Sequence, residues 1–267
     1  MTYRSILSLK SLPVVCGLLA ALMLAGCSKD ASDTSATTTP ATEAAANNGP
    51  KATTPKPRDQ EYEWMSVAEW HERFQDDVKI AKEGNVGLLF VGDSITQGWP
   101  SPLWENSFGA YNPANFGIGG DHTGNVLWRL QNTDLSNLHP KVIVLLIGVN
   151  NFFHNNDQPE DVFQGVKAVV DLLRIEFPDA KILLNGILPH KENADDPMRQ
   201  MIIETNQKIL TLGDHTHIYY RDYGSLFLAE DGSIPKELMP DSLHPAEPGY
   251  VIWADAMLPQ IQVWMEE

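Results

Sequence analysis

The sequence predicts an α/β fold: a three-layer α/β/α arrangement around a flavodoxin-like five-stranded parallel sheet of order 2-1-3-4-5. Three features point to it. The runs Val86–Val91 and Val142–Ile147 are apolar throughout, as strands buried on both faces must be. Segments with apolar residues at helical spacing separate the strand-like runs, so strand and helix alternate along the chain. The turns after the runs, Gly92-Asp93-Ser94 and Gly148-Val149-Asn150, suit strands that hand over to helices. Right-handed crossovers then place five βα units side by side.

The first helix has a legible start. Ser66-Val67-Ala68-Glu69 is a capping box, with Met65 and Trp70 placed as a hydrophobic staple. Val67, Trp70, Phe74 and Val78 follow at helical spacing, Gly84 suits the stop, and Trp70 reads as core. After the strand at Val86–Val91 come a helix near Ile95–Trp104, a short strand near Ala114–Phe116 and a helix near Thr123–Leu130. Beyond the strand Val142–Ile147, one face of a helix is marked by Val162, Val166, Val169 and Leu173, and that helix ends before Pro178. Ile182–Ile187 is the fourth strand, and Pro197 opens a helix whose face carries Met198, Ile202, Thr205, Ile209 and Leu212. Ile218–Arg221 is the fifth strand. A loop runs through Pro245, and the last helix follows Pro248-Gly249, with Tyr250, Trp253, Met257 and Ile261 on its apolar face. Pro259 should kink that helix or end it early.

The first residues are not expected in the core. Arg4 and Lys10 precede the apolar stretch Leu12–Ala25, which ends in Leu24-Ala25-Gly26-Cys27, the pattern of an export signal over residues 1–26. At roughly fourteen residues the stretch is short for a membrane span. Leu-Ala-Gly-Cys resembles the bacterial lipobox, which implies acylation of Cys27 and attachment to a bilayer; Ser28 after the cysteine favours the outer membrane of a bacterial envelope. An ordinary secretory signal would instead leave Cys27 a free thiol. Cys16 leaves with the signal, so the mature chain holds no disulfide of its own. Ser28 to Gln60 contains no Val, Ile, Leu, Met or aromatic residue, and residues 27–60 read as the lipidated cysteine and a disordered tether. The globular domain is expected over 61–267. Loss of Arg4 and Lys10 takes the net charge from −16 to −18, which disfavours nucleic acid as a partner.

Ser94, displayed where a strand ends, is a candidate nucleophile. In the 2-1-3-4-5 order it should meet Gly120 and Asn150, which follow the two neighbouring strands. Taken alone, each residue has a plainer role: Asp93-Ser94 as a helix cap, Asp241 as a turn cap, His244 as a surface residue, Gly119-Gly120 as a tight turn. Together, Gly92-Asp93-Ser94-Ile95-Thr96, the glycine after the second strand, Gly148-Val149-Asn150-Asn151 and Asp241-Ser242-Leu243-His244 resemble the four blocks of the SGNH, or GDSL, hydrolases. The runs NFGIGGDHTGNVLWRL and PKVIVLLIGVNN are similar to the branch of catalytic subunits of platelet-activating-factor acetylhydrolase. The resemblance covers Tyr62 to the C-terminus.

It implies Ser94 as nucleophile, His244 as base and Asp241 as its orienter, with the backbone amides of Ser94 and Gly120 and the side chain of Asn150 as oxyanion donors. It implies no cofactor. Val149 stands where that branch carries threonine, and Ile95, Val149 and Leu243, beside these residues in sequence, are candidates for an apolar acyl pocket. The α/β-hydrolase elbow G-x-S-x-G is absent. His71, His122, His139, His154 and His190 lack metal-ligand spacing, and His215 and His217 lack a third ligand. The expected activity is an exported serine esterase acting on small acyl esters, acetylated carbohydrate foremost. Its rivals are a lysophospholipase or thioesterase, a phospholipid acetylhydrolase, an acyltransferase and a non-enzymatic glycan-binding module. A monomer and a dimer both remain open.

Overall fold

A computed structural model describes residues 51–267. The export signal, Cys27 and the tether up to residue 50 lie outside the described residues. The five strands are β1 (Leu88–Gly92), β2 (Pro113–Gly117), β3 (Val142–Leu146), β4 (Lys181–Asn185) and β5 (Ile218–Arg221). They form one parallel sheet in the order β2-β1-β3-β4-β5, with Gly92 level with Gly117 on one side and Leu146 on the other. The carboxyl ends of the three adjacent strands therefore open onto one crevice, where strand order reverses.

The helices are α1 (Val67–Glu83), α2 (Ser94–Gln97), α3 (Ser101–Phe108), α4 (Thr123–Gln131), α5 (Pro159–Glu176), α6 (Pro197–Ile209) and α7 (Glu247–Glu266). Helices α4, α5 and α6 pack in a row, and α3 lies beside α7. The Ser66 capping box forms as read, with Ser66 accepting from the Glu69 amide and Glu69 from the Ser66 amide. Met65, Trp70 and Phe74 share a small core with Ile118.

Three stretches depart from expectation. The helix anticipated over 95–104 is two helices: Gly98 ends α2, and Pro100, which lacks an amide hydrogen, starts α3. Helix α7 runs through Pro259 to Glu266, because that proline is exposed while Met257, Ile261 and Trp264 remain buried on the core side. Residues 51–60, assigned to the tether, pack on the domain. Ala52 is fully buried, and its carbonyl accepts from Thr123 Oγ1 at 2.7 Å. Lys56 pairs through its amide with Gly124 O and through its carbonyl with Asn125 Nδ2. This strap is held by backbone polar groups and by Arg58, so its lack of apolar side chains did not prevent packing.

Beneath the crevice lies a buried charge cluster. Arg129 on α4 donates from Nε to Asp121 Oδ2 at 2.8 Å and from one terminal nitrogen to Asp77 Oδ2 at 2.7 Å. Its other terminal nitrogen donates to Phe116 O and Gly92 O, at the ends of β2 and β1. Asp121 also accepts from the Trp70 indole at 2.6 Å, so Trp70 is core with a polar duty. Removing one partner from such a cluster strands a buried charge. Arg129→Met is expected to lower the unfolding free energy by about 3–5 kcal/mol, measured by urea denaturation; a loss below about 1 kcal/mol would contradict this role.

Candidate active site

Ser94 opens α2 one residue after the Asp93 cap, whose Oδ1 accepts from the Ile95 amide at 2.9 Å. Glycine is required at 92, since a Cβ there would lie 2.1 Å from Thr96 Oγ1 and 2.4 Å from Leu146 O. The Ser94 hydroxyl donates to His244 Nε2 at 2.8 Å, and His244 Nδ1–H donates to Asp241 Oδ2 at 2.7 Å. Asp241 Oδ1 meanwhile accepts from the amides of Leu243 and His244, so one carboxylate closes the turn and orients the ring. Burial alone would raise the Asp241 carboxyl, but the hydrogen bonds and charge of His244 hold it below its ordinary value. Ser242, between them, takes a left-handed φ of 59°, and its carbonyl accepts from His190 Nδ1–H at 2.8 Å and from the Lys191 amide.

Gly120 has a φ of +73°, and a Cβ there would meet the Trp64 ring at 2.5 Å. Among the described residues, no hydrogen bond occupies the backbone amides of Ser94 or Gly120. Asn150 donates from Nδ2 to Asp121 O at 3.0 Å, which fixes the amide plane and leaves the second Nδ2 hydrogen for the crevice. Its neighbour Asn151 turns inward: it donates to Thr123 Oγ1 and Asp157 Oδ2 and accepts from the Thr123 amide. The asparagine pair thus splits between the crevice and the anchoring of α4.

Ser94, Gly120, Asn150 and His244 line one cavity of about 490 Å³. Leu243 lines it as well. Ile95 and Val149 do not: at 2% and 3% exposure they point into the core, because adjacency in sequence to Ser94 or Asn150 does not set side-chain direction. Residues not anticipated complete the wall: Trp64 before α1, Phe153 and His154 on a π-helical turn (Asn151–Asn155), and His190 and Lys191 after β4. The position of Phe153 and His154 directly after Asn150-Asn151 was the available signal for those two. Among the described residues, no group of three or more His, Cys, Asp or Glu side chains is arranged to hold a metal ion, and no helix is long and apolar enough to cross a membrane.

Residues 90–252 match the family model of the GDSL-like lipase/acylhydrolase family. The chain is 41% identical over 189 residues to platelet-activating factor acetylhydrolase IB subunit alpha2 of Rattus norvegicus, covering 70% of this chain and 78% of that protein. It is 34% identical over 189 residues to the human alpha1 subunit, with the same shares of the two chains. In fold it is similar to a GDSL-like lipase from Bacteroides thetaiotaomicron, with TM-score 0.59, 21% identity and coverage of 73% of this chain and 97% of that one. An acetylxylan esterase from Geobacillus stearothermophilus also shares the fold, with TM-score 0.53, 18% identity and coverage of 67% and 94%.

Asp93 supplies a test of the site's electrostatics. Its Oδ2 is buried with no hydrogen-bond partner, and burial pushes its carboxyl up to about 7 against the pull of the Ile95 amide and of His244. A carboxyl raised on folding binds its proton more tightly in the folded chain. Its stabilising contribution is therefore complete below the ordinary value of 3.8 and is lost as pH climbs through about 7. Asp93→Asn is expected to gain stability over the parent by roughly 1–3 kcal/mol as pH rises from about 5 to about 9; urea curves that stay parallel across this range would contradict the assignment.

Proposed function

Because the chain belongs to the GDSL-like lipase/acylhydrolase family of serine ester hydrolases, we propose that it is an exported, lipid-anchored esterase that removes acetyl groups from carbohydrate through an acyl-enzyme. The observation that carries the chemistry is the unbroken relay from Ser94 Oγ through His244 to Asp241 at the mouth of the cavity. In this scheme Ser94 Oγ attacks the ester carbonyl as His244 Nε2 takes its proton, and Asp241 stabilises the imidazolium. The oxyanion receives the amides of Ser94 and Gly120 and the free hydrogen of Asn150 Nδ2. His244 returns the proton to the leaving alcohol, and a water deprotonated by the same nitrogen releases the acid and restores Ser94.

Acetyl as the acyl group is supported by the names of the relatives that match at 34–41% identity, which are acetylhydrolases. Carbohydrate as the alcohol is supported by Trp64, an indole that is 57% exposed at the cavity wall and stacked on Tyr62 with centroids 4.9 Å apart. Export and the anchor rest on the signal and Cys27. A second reading, a phospholipid acetylhydrolase, takes its support from the same relatives' names. Lys191, whose ammonium sits 5.7 Å from the Phe153 ring at the cavity wall, would repel a choline group.

A fluorophosphonate probe is expected to label the wild-type protein and not Ser94→Ala, and p-nitrophenyl acetate to be cleaved in preference to the octanoate. Asn150→Ala should lower kcat by about 10²–10³-fold. No labelling of the wild type, or equal labelling of Ser94→Ala, would overturn the esterase; faster cleavage of octanoate would shift the reading to a lipase.

A further inference from the structure

A second cavity, of about 390 Å³, adjoins the one at Ser94. His154 lines both, and Tyr62, whose hydroxyl pairs with His154 Nδ1 at 3.0 Å, lines the second while stacking on Trp64, which lines the first. A Trp64-Tyr62-His154 wall thus runs from one cavity to the other. The mechanism proposed above uses none of the second cavity.

Its walls carry more basic than acidic side chains. The chain as a whole carries 35 acidic against 19 basic residues, yet Lys51, Lys56 and Arg58 line this space; Lys56 is paired with Asp59 at 2.5 Å and Arg58 with the buried Asp121, which leaves the Lys51 ammonium without an ion-pair partner among the described residues. His122 adds a donor: its Nδ1 accepts from the Gly124 amide at 3.1 Å, so the neutral ring carries its proton on Nε2. Burial first, then repulsion from His154, Arg58 and Lys56, lowers that ring to about 4, which keeps it neutral. A ligand that fits such walls is rich in acceptors and negatively charged, with a face that aromatic rings can cover.

We propose that this cavity is a second subsite, which takes a carboxylated sugar unit adjoining the one whose ester is held at Ser94. The inference rests on the carbohydrate reading of the first cavity and sharpens it from glycans in general to uronic-acid-containing chains. The exposed Trp64 would carry a sugar face, and Lys51, Lys56 and His122 would meet the carboxylate and the hydroxyl oxygens.

The test separates binding from turnover. Calorimetric titration of the Ser94→Ala protein with trigalacturonate, which bears no ester, should show saturable binding that weakens at high salt, whereas α-1,4-galactotriose, its neutral counterpart, should bind more weakly. The double variant Lys51→Ala/Lys56→Ala, made in the same Ser94→Ala background and removing two exposed ammonium groups, should weaken trigalacturonate by about tenfold. Equal affinity for the two trisaccharides, no binding of either, or an affinity for trigalacturonate untouched by the lysine changes would each overturn the subsite. Failure of the esterase itself would register separately, in the fluorophosphonate and p-nitrophenyl acetate assays on the wild-type chain.

Discussion

The guanidinium of Arg129 gathers three parts of the crevice that the chain delivers separately. It bonds the carbonyls of Gly92 and Phe116, at the ends of β1 and β2, and the carboxylate of Asp121, immediately after Gly120. Asp121 then passes the constraint on, since its own carbonyl receives Asn150 from the end of β3. Three strands therefore have their carboxyl ends fixed relative to one another by a single buried cation and one loop. An arginine suits this position because its planar fork holds several acceptors at once, where a lysine ammonium would offer a point charge. Pairing with two carboxylates offsets the cost of its burial, and the arrangement sets specific geometry more than it adds stability.

Around this rigid floor Asp241 and His244 sit on a more exposed turn. Asp241 spends one oxygen on the backbone of its own turn and the other on the His244 ring, so the imidazole is aimed by a device only four residues long. His190 and the Lys191 amide hold the Ser242 carbonyl from outside, against a left-handed backbone at that serine. The strap before α1 closes the opposite side. Arg58, buried among Gly119, Asp121 and Met65, ties that strap to the loop bearing Gly120 and carries Tyr62 and Trp64 against its other face.

The sheet and most helices were legible because their signals are local: continuous apolar runs for β1 and β3, a capping box for α1, a proline at the first turn of α6. The nucleophile, base, orienter and oxyanion candidates were legible as blocks whose order matches a known family, and the topology brings them to one crevice. Residues that act through direction or through backbone bonding were not. Ile95 and Val149 lie beside Ser94 and Asn150 in sequence yet face the core, since the turn of the chain sends neighbours opposite ways. Residues 51–60 carry no apolar signal and pack through Ala52 O, the Lys56 backbone and Arg58. Nothing in the spacing of His122, His154 and Tyr62 announces that a strap and two loops bring them to a common cavity.

The central claim is that the Ser94-His244-Asp241 relay performs acyl transfer through a covalent serine ester. Rapid acid quench during turnover of an acetyl ester, followed by peptide mass spectrometry, addresses it most directly. The account predicts a single acetyl group on the peptide containing Ser94, absent from Ser94→Ala; an acetyl group on another residue, or turnover that persists in Ser94→Ala, would contradict it.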